Sequence, residues 1–420
     1  MRIGFFCPHS DPLARLGEPD SGGQCVYEAK VAGALAEQGH EVRCYTRLSK
    51  SKPKQEFIST GAEVVRLPMG PEGFLRKEEM GPHLPEFVYQ AIEKQASWLE
   101  MVDVLHGHYW DGGVTALAAS LAFGKPLVFT SHSLGALKQD SLPDNSLYHY
   151  DVRIPAERRI MAAAGRIIAL SSVEKQALMR RYGVNPEKIC IVPGGVEVEQ
   201  FRPKGSKREN KAAIGIDADF LVFTIGRLDA RKGFIQLIDC VPAVVHAMAE
   251  RGKSVCFMLP CGPEEPSDKE RELRNYLLEH AKTLGITEHI HWFHRLPDDQ
   301  LHHTYAAADV FVCPSLYEPF GLVLVEAMAA ATPVVATCNG GPVDIVSEGK
   351  DGFLADPLNT GQMSARILDV LTASSEVRAA MGEKALAKAR QKHAWSAVAK
   401  QIAAVYVELA RSSKDQSSLG

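Results

Sequence analysis

The feature that most limits what this chain can fold into is the alternation of strand-like and helix-like patterns along nearly all of its 420 residues. Short apolar runs rich in β-branched and aromatic residues recur, each followed by a longer helical stretch. That order is the mark of parallel sheets joined by crossover helices. In the first half, strands are expected at 3–7, 41–45, 63–66, 104–106, 127–131, 166–169 and 189–192, with helices such as 26–38 and 85–101 between them. A second series of strands is expected at 220–225, 255–259, 289–293, 310–313 and 333–337, closed by the step at 351–354. Its helices include 234–251, 269–284 and 362–371.

A chain this long exceeds one ordinary core, so two α/β domains are the natural expectation. The proline- and glycine-bearing stretch from Pro193 to Gly205 divides them, which gives domains at 1–195 and 205–393. The last helical pattern, 394–420, is expected to pack back on the first domain. Two doubly wound sheets would present their strand carboxyl ends to a shared crevice, the edge at which open α/β sheets bind ligands. A net charge of −4 gives no bulk attraction to nucleic acid or to an anionic membrane. No apolar stretch has the length of a membrane span. The start, Met1-Arg-Ile-Gly-Phe-Phe6, reads as a first strand and not as a secretory signal. Nine cysteines without a CxxC fit reduced, buried thiols, so a cytoplasmic protein is expected. Neither half carries GxGxxG, and hydride chemistry is not supported.

The chemistry-bearing residues fall just after expected strands. In the second half, Glu318-Pro-Phe-Gly-Leu322 precedes a helical run that contains Glu326. A turn of this kind aims free backbone N–H groups at a diphosphate or a sugar hydroxyl, flanked by two carboxylates. Gly226-Arg-Leu-Asp-Ala-Arg-Lys-Gly233 follows another strand directly, so Arg227 and Lys232 can converge on one diphosphate. In the first half, Asp20-Ser-Gly-Gly-Gln-Cys25 brings Gly23 and Gln24 to a helix start. His132-Ser-Leu-Gly135 and His108-Tyr-Trp-Asp-Gly-Gly113 read as loops at adjacent strand ends. Lys77 and Arg153, alone, read as ordinary surface charges that matter only if an acceptor carries a phosphate. His289, His291, His294, His302 and His303 lack the spacing of a metal site, and no metal is assigned. Asp217 and Asp219 precede a strand and are set aside as magnesium ligands.

Taken together, four motifs make the chain resemble the retaining glycosyltransferases of GT-B architecture: two Rossmann-like, doubly wound domains facing across a cleft. They are the Gly22-Gly23 loop, His132-Ser-Leu-Gly135, Gly226-Arg-Leu-x3-Lys232 and the E-x7-E frame of Glu318 and Glu326. Within that group the chain is most similar to the sucrose-phosphate synthases, through Ser21-Gly-Gly-Gln24, Tyr109-x-Asp-Gly-Gly113, Arg153-Ile-x-Ala-Glu157, Tyr317-Glu-Pro-Phe-Gly321 and Asn339-Gly-Gly-Pro342. The resemblance spans essentially the whole chain.

It implies transfer of glucose from UDP- or ADP-glucose to fructose 6-phosphate, giving sucrose 6-phosphate. It also implies the roles. Arg227 and Lys232 would grip the diphosphate, Glu318 the glucose hydroxyls and Glu326 the ribose, with Gly23, Phe320, Gly321 and Leu322 completing the donor site. Gly23, Gln24, Lys77, Tyr109, His132, Ser133 and Arg153 would hold the acceptor. His132, Arg227, Lys232 and Glu318 would be the catalytic set. No cofactor is required, with magnesium at most a stimulant, and a separate sucrose-phosphate phosphatase would act on the product. Counterparts of the larger members' extra N-terminal sequence and phosphatase-like domain are not expected in these 420 residues, and Asp151 stands where a basic or neutral residue is expected. Free fructose or an inositol phosphate are the alternative acceptors. A non-catalytic nucleotide-sugar binder is the reading from another class, and the intact acidic and basic set argues against it.

Overall fold

A computed structural model describes residues 1–14, 22–141 and 149–417. The chain divides into two compact units: Met1–Pro193 with Trp395–Gly420, and Gly194–Ala394. Each is a doubly wound α/β unit, as the alternating pattern requires.

The first unit holds an eight-stranded sheet. Its strands are β1 (Arg2–Phe6), β2 (Glu41–Arg47), β3 (Gln55–Ser59), β4 (Ala62–Leu67), β5 (Val104–His108), β6 (Leu127–Thr130), β7 (Arg166–Ala169) and β8 (Ile189–Ile191). The order is β3-β4-β2-β1-β5-β6-β7-β8. All pairs are parallel except β3 with β4. The apolar runs follow from burial on both faces: β6 has no exposed residue, and neither does β5, whose two histidines are buried with it.

The second unit holds six strands in the order β11-β10-β9-β12-β13-β14, all parallel. They are β9 (Phe220–Phe223), β10 (Val255–Pro260), β11 (Ile290–Phe293), β12 (Val310–Cys313), β13 (Val334–Thr337) and β14 (Gly352–Ala355). In the first sheet the winding reverses between β1 and β5, and in the second between β9 and β12. Those reversals open a gap at the strand carboxyl ends where ligands bind in such folds.

Four sequence expectations are corrected here. Edge strand β3 was not foreseen, because its side chains are mostly half-exposed and carry no apolar run. The helix expected over 85–101 is two, Leu84–Lys94 and Ala96–Leu99, broken where Gln95 leaves helical geometry at φ −117°. The loop expected at 108–113 is instead the end of β5 and the start of the helix Tyr109–Phe123. An unforeseen helix, Ser375–Lys388, begins at a Ser374 cap that accepts from the Val377 N–H.

The terminal helix, Trp395–Ser417, belongs to the first unit. Trp395 meets the Tyr27 ring edge-on at 5.8 Å, and buried Tyr406 hydrogen-bonds His106 Nδ1 at 2.6 Å. No described helix is long and apolar enough to cross a membrane. All nine cysteines are free thiols.

Candidate active site

Both groups of candidate residues fall at the sheet reversals. In the second unit, the loop after β9 and the loop after β12 meet through Gly233. Its φ of 71° is left-handed, and a Cβ there would lie 1.9 Å from the Pro314 carbonyl oxygen, so only glycine fits. This close approach brings the Lys232 ammonium 2.7 Å from Glu318 Oε2, which also accepts from Ser315 Oγ at 3.1 Å. Burial pulls the Lys232 ammonium toward neutrality, but Glu318 more than offsets it, and its pKa stands above the usual lysine value. Lys232 therefore stays charged.

Glu318 is fixed from both sides along its main chain. Its N–H donates to Asn339 O at 3.0 Å and its carbonyl accepts from Gly341 N–H at 2.8 Å. Gly340, at φ 107°, permits this: a Cβ there would meet the Glu318 carbonyl oxygen at 2.1 Å. Glycine 321, at φ 109°, caps the helix Leu322–Ala329, whose first amides have no partner within the helix. One turn on, Glu326 Oε2 accepts the Tyr305 hydroxyl at 2.7 Å, and burial pushes the Glu326 carboxyl up to about 7.

Of the three cations in the loop after β9, Arg231 is paired with Asp229 at 2.6 Å. Burial alone would raise Asp229, but the Arg231 bonds outweigh it and hold the carboxyl at about 2. Arg227 is exposed, and its side chain makes no hydrogen bond or ion pair with any described residue. Phe320, read from sequence as a donor contact, has its ring buried beside Gly194 and His393, which turns that ring away from a donor role.

The first unit is built differently. Arg153 is 1% exposed, which corrects its reading as a surface charge. Its guanidinium donates to Glu157 Oε1 at 2.8 Å, the Tyr109 hydroxyl at 2.8 Å, and Ser133 O at 2.6 Å and Oγ at 3.1 Å. Burial opposes its charge, and Tyr109 and Glu157 more than restore it. Glu157 also accepts the Gly135 N–H and the Tyr182 hydroxyl. Arg153, Tyr109 and Ser133 thus form one hydrogen-bonded cluster, with Ser133 at its partly exposed edge. Lys77 opens the short helix Lys77–Glu79, and its neighbour Glu78 is close enough to act on Tyr109 electrostatically.

His132 stands after β6 with a left-handed backbone, φ 52°, an uncommon state for a non-glycine residue. Its Nε2 lies 2.9 Å from His108 Nδ1, the rings stack at 5.2 Å, and Tyr27 abuts it edge-on at 5.0 Å. Burial depresses the His132 imidazole to about 3, so it is neutral at physiological pH. Gly23 opens the helix Gly23–Glu37, and Gln24 Nε2 donates to Glu28 Oε1 at 2.8 Å. Asp20 and Ser21, part of the same sequence motif, lie outside the described residues. Glu28 is wholly buried, and burial raises its carboxyl well above the carboxylate range.

Sequence reasoning did not find Glu28, the His9–Asp111 bond at 2.8 Å, or the Glu157 anchor. Glu28 is the one charged residue on the buried face of the helix Gly23–Glu37, and nothing in its sequence neighbourhood marks it out. The histidines set aside as a metal cluster, His289 to His303, do not converge among the described residues; Glu28, His108 and His132 do.

Residues 206–388 match the family described as glycosyl transferases group 1, and residues 21–200 match glycosyltransferase family 4. A D-inositol 3-phosphate glycosyltransferase of Corynebacterium glutamicum is 32% identical, over 97% of this chain and 96% of that protein. A mannosylfructose-phosphate synthase of Agrobacterium fabrum is 29% identical, over 96% of this chain and 90% of that protein. Among solved structures, a sucrose-phosphate synthase from Thermosynechococcus elongatus superposes with a TM-score of 0.84 at 26% identity, covering 97% of this chain and 98% of that one.

Proposed function

The chain belongs to the group 1 glycosyltransferases of GT-B fold, and from that premise we propose that it transfers glucose, with retention, from a nucleoside diphosphate glucose to a small phosphorylated acceptor. Fructose 6-phosphate is the acceptor that fits best, giving sucrose 6-phosphate. UDP-glucose and ADP-glucose are both suitable donors.

The observation that carries this reading is the cluster of Arg153, Tyr109 and Ser133. The guanidinium, held charged by Glu157, donates to the Tyr109 hydroxyl and to Ser133 Oγ, so both hydroxyls are polarised toward an anion arriving at the partly exposed Ser133 edge. Lys77 adds a second cation from the neighbouring short helix. The names of the relatives agree in one respect: each carries a phosphate on its acceptor or product.

On the donor side, Arg227 and Lys232 take the diphosphate together with the amides at the start of Leu322–Ala329. Glu318 orients glucose hydroxyls and Glu326 the ribose. The bond from C1 to the leaving phosphate breaks ahead of acceptor attack, and charge grows on the phosphate oxygen as it does. Lys232 then interacts more strongly with the transition state than with the ground state, which is what accelerates the step. The departing phosphate oxygen takes the acceptor proton on the same face. His132, neutral and fixed by His108, donates to or accepts from a sugar hydroxyl without adding charge.

The test is nucleoside diphosphate release over a matrix of UDP- and ADP-glucose against fructose 6-phosphate, fructose and an inositol phosphate. Turnover with fructose 6-phosphate, near-silence with fructose, and an α-linked product support the reading. Equal turnover with free fructose defeats it. An inositol phosphate is the second reading, favoured by seven relatives of 30–32% identity that share that activity by name.

A further inference from the structure

Three side chains of the first unit converge, and the proposed sugar transfer leaves one of them, Glu28, without a role. Glu28 comes from the helix Gly23–Glu37, His108 from the end of β5, and His132 from the turn after β6. One potential ligand atom of each lies within 4.8 Å of the others. Glu28 and His108 are fully buried, while His132 is partly exposed and gives the trio one open side. Two imidazoles, a carboxylate and one vacant position form a donor set suited to zinc. The geometry points to a binding site for a zinc-like divalent transition ion on Glu28, His108 and His132.

The local bonding suits that ion better than it suits a purely structural trio. His108 Nδ1 and His132 Nε2 face each other at 2.9 Å. Two nitrogens on a tetrahedral zinc sit about 3.3 Å apart. An ion would replace the proton shared between the rings once the two rings turn so that both nitrogens point at it. His108 Nε2 is buried and has no hydrogen-bond partner. Whichever nitrogen of that ring faces the ion, the bond to His132 is the only one lost.

The carboxylate is already oriented. Glu28 Oε1 accepts from Gln24 Nε2 at 2.8 Å, and Oε2 accepts from Ser10 Oγ at 2.7 Å. Such outer bonds fix a ligating carboxylate and leave lone pairs free. The left-handed backbone at His132 holds its ring against His108, a strained conformation of the kind that persists at ligand sites.

An ion bound here takes His132 away from substrate, so zinc inhibits transfer. That last step rests on the function proposed above; the binding itself does not.

The full-length chain, stripped with a chelator, is titrated with Co2+ as a spectroscopic probe and Zn2+ as competitor. One equivalent of Co2+ with the visible bands of a four-coordinate ion, displaced by Zn2+, is the expected result. Glu28→Gln keeps the shape but turns one acceptor oxygen into a donor, and should weaken Co2+ binding by at least about ten-fold. His302→Ala removes half of a separate histidine pair, whose rings lie 4.1 Å apart, and should leave binding unchanged. Should Glu28→Gln fail to fold by circular dichroism, His132→Asn serves in its place, since asparagine tolerates a left-handed backbone. Undiminished binding in whichever of the two first-unit variants folds, binding lost in His302→Ala, or no stoichiometric binding at all overturns the site.

Discussion

The two halves of the molecule prepare their chemistry in opposite ways. In the first unit the polar groups are buried and already bonded to one another: Arg153 to Glu157, Tyr109 and Ser133, His132 to His108, Gln24 to Glu28. In the second, Arg227 is exposed, Lys232 and Glu318 are joined by one partly exposed ion pair, and Glu326 has a single hydroxyl partner. A network that is complete without ligand resists change, because losing one member strands a buried charge. A sparse, half-open set can change partners when a diphosphate arrives. The difference teaches where stability and where catalysis should be sensitive to substitution.

The comparison breaks first at Arg153. Replacing it by leucine leaves Glu157 buried and unpaired, and should cost on the order of 3–5 kcal/mol of stability in urea unfolding of the whole chain. A loss below about 1 kcal/mol would mean that the first-unit network is not tight. Lys232→Ala should do the reverse. The stability loss should be smaller than at Arg153, because Lys232 is about a third exposed, while kcat falls roughly 10²- to 10³-fold, about 3–4 kcal/mol of transition-state stabilisation. Unchanged turnover would remove Lys232 from the reaction.

Glu326 sharpens the contrast through pH. Its folded-state carboxyl stands near 7 against an ordinary value of 4.5, so the folded chain holds the proton more tightly than the unfolded one. The resulting stabilisation is complete below about pH 4.5 and is lost as pH rises to about 7. Wild type should therefore lose roughly 1–3 kcal/mol relative to Glu326→Gln across that window, measured by paired denaturation curves. Parallel curves would mean that the carboxyl is not raised. The smallest effect is expected at Arg181, whose ion pair with Asp140 is nearly half-exposed on both sides. Arg181→Ala should shift stability by less than about 1 kcal/mol, within the range of surface pairs.

How much of this could be read from the sequence follows the same division. The second-unit site is assembled from two continuous loops, Gly226–Gly233 and Glu318–Leu322, each directly after a strand. Their residue types announce the chemistry because loop position and function coincide. The first-unit site depends on contacts between distant residues. Arg153 reaches Tyr109 across 44 positions, and neither residue alone distinguishes a buried cluster from a surface charge. Glu28 was invisible for the same reason, being one acid within a helical pattern. The doubly wound fold was legible throughout, since buried parallel strands leave unbroken apolar runs. Edge strand β3, half-exposed and antiparallel, leaves none.

The return of Trp395–Ser417 to the first unit bears on how the protein is made. The His106 imidazole, in the middle of the first sheet, finds its hydroxyl partner Tyr406 300 positions later. A nascent chain emerging from the ribosome must therefore present the first sheet with that face uncovered until the whole second unit has been synthesised. Until then Tyr27 and His106 lack the Trp395 ring and the Tyr406 hydroxyl that meet them in the folded chain.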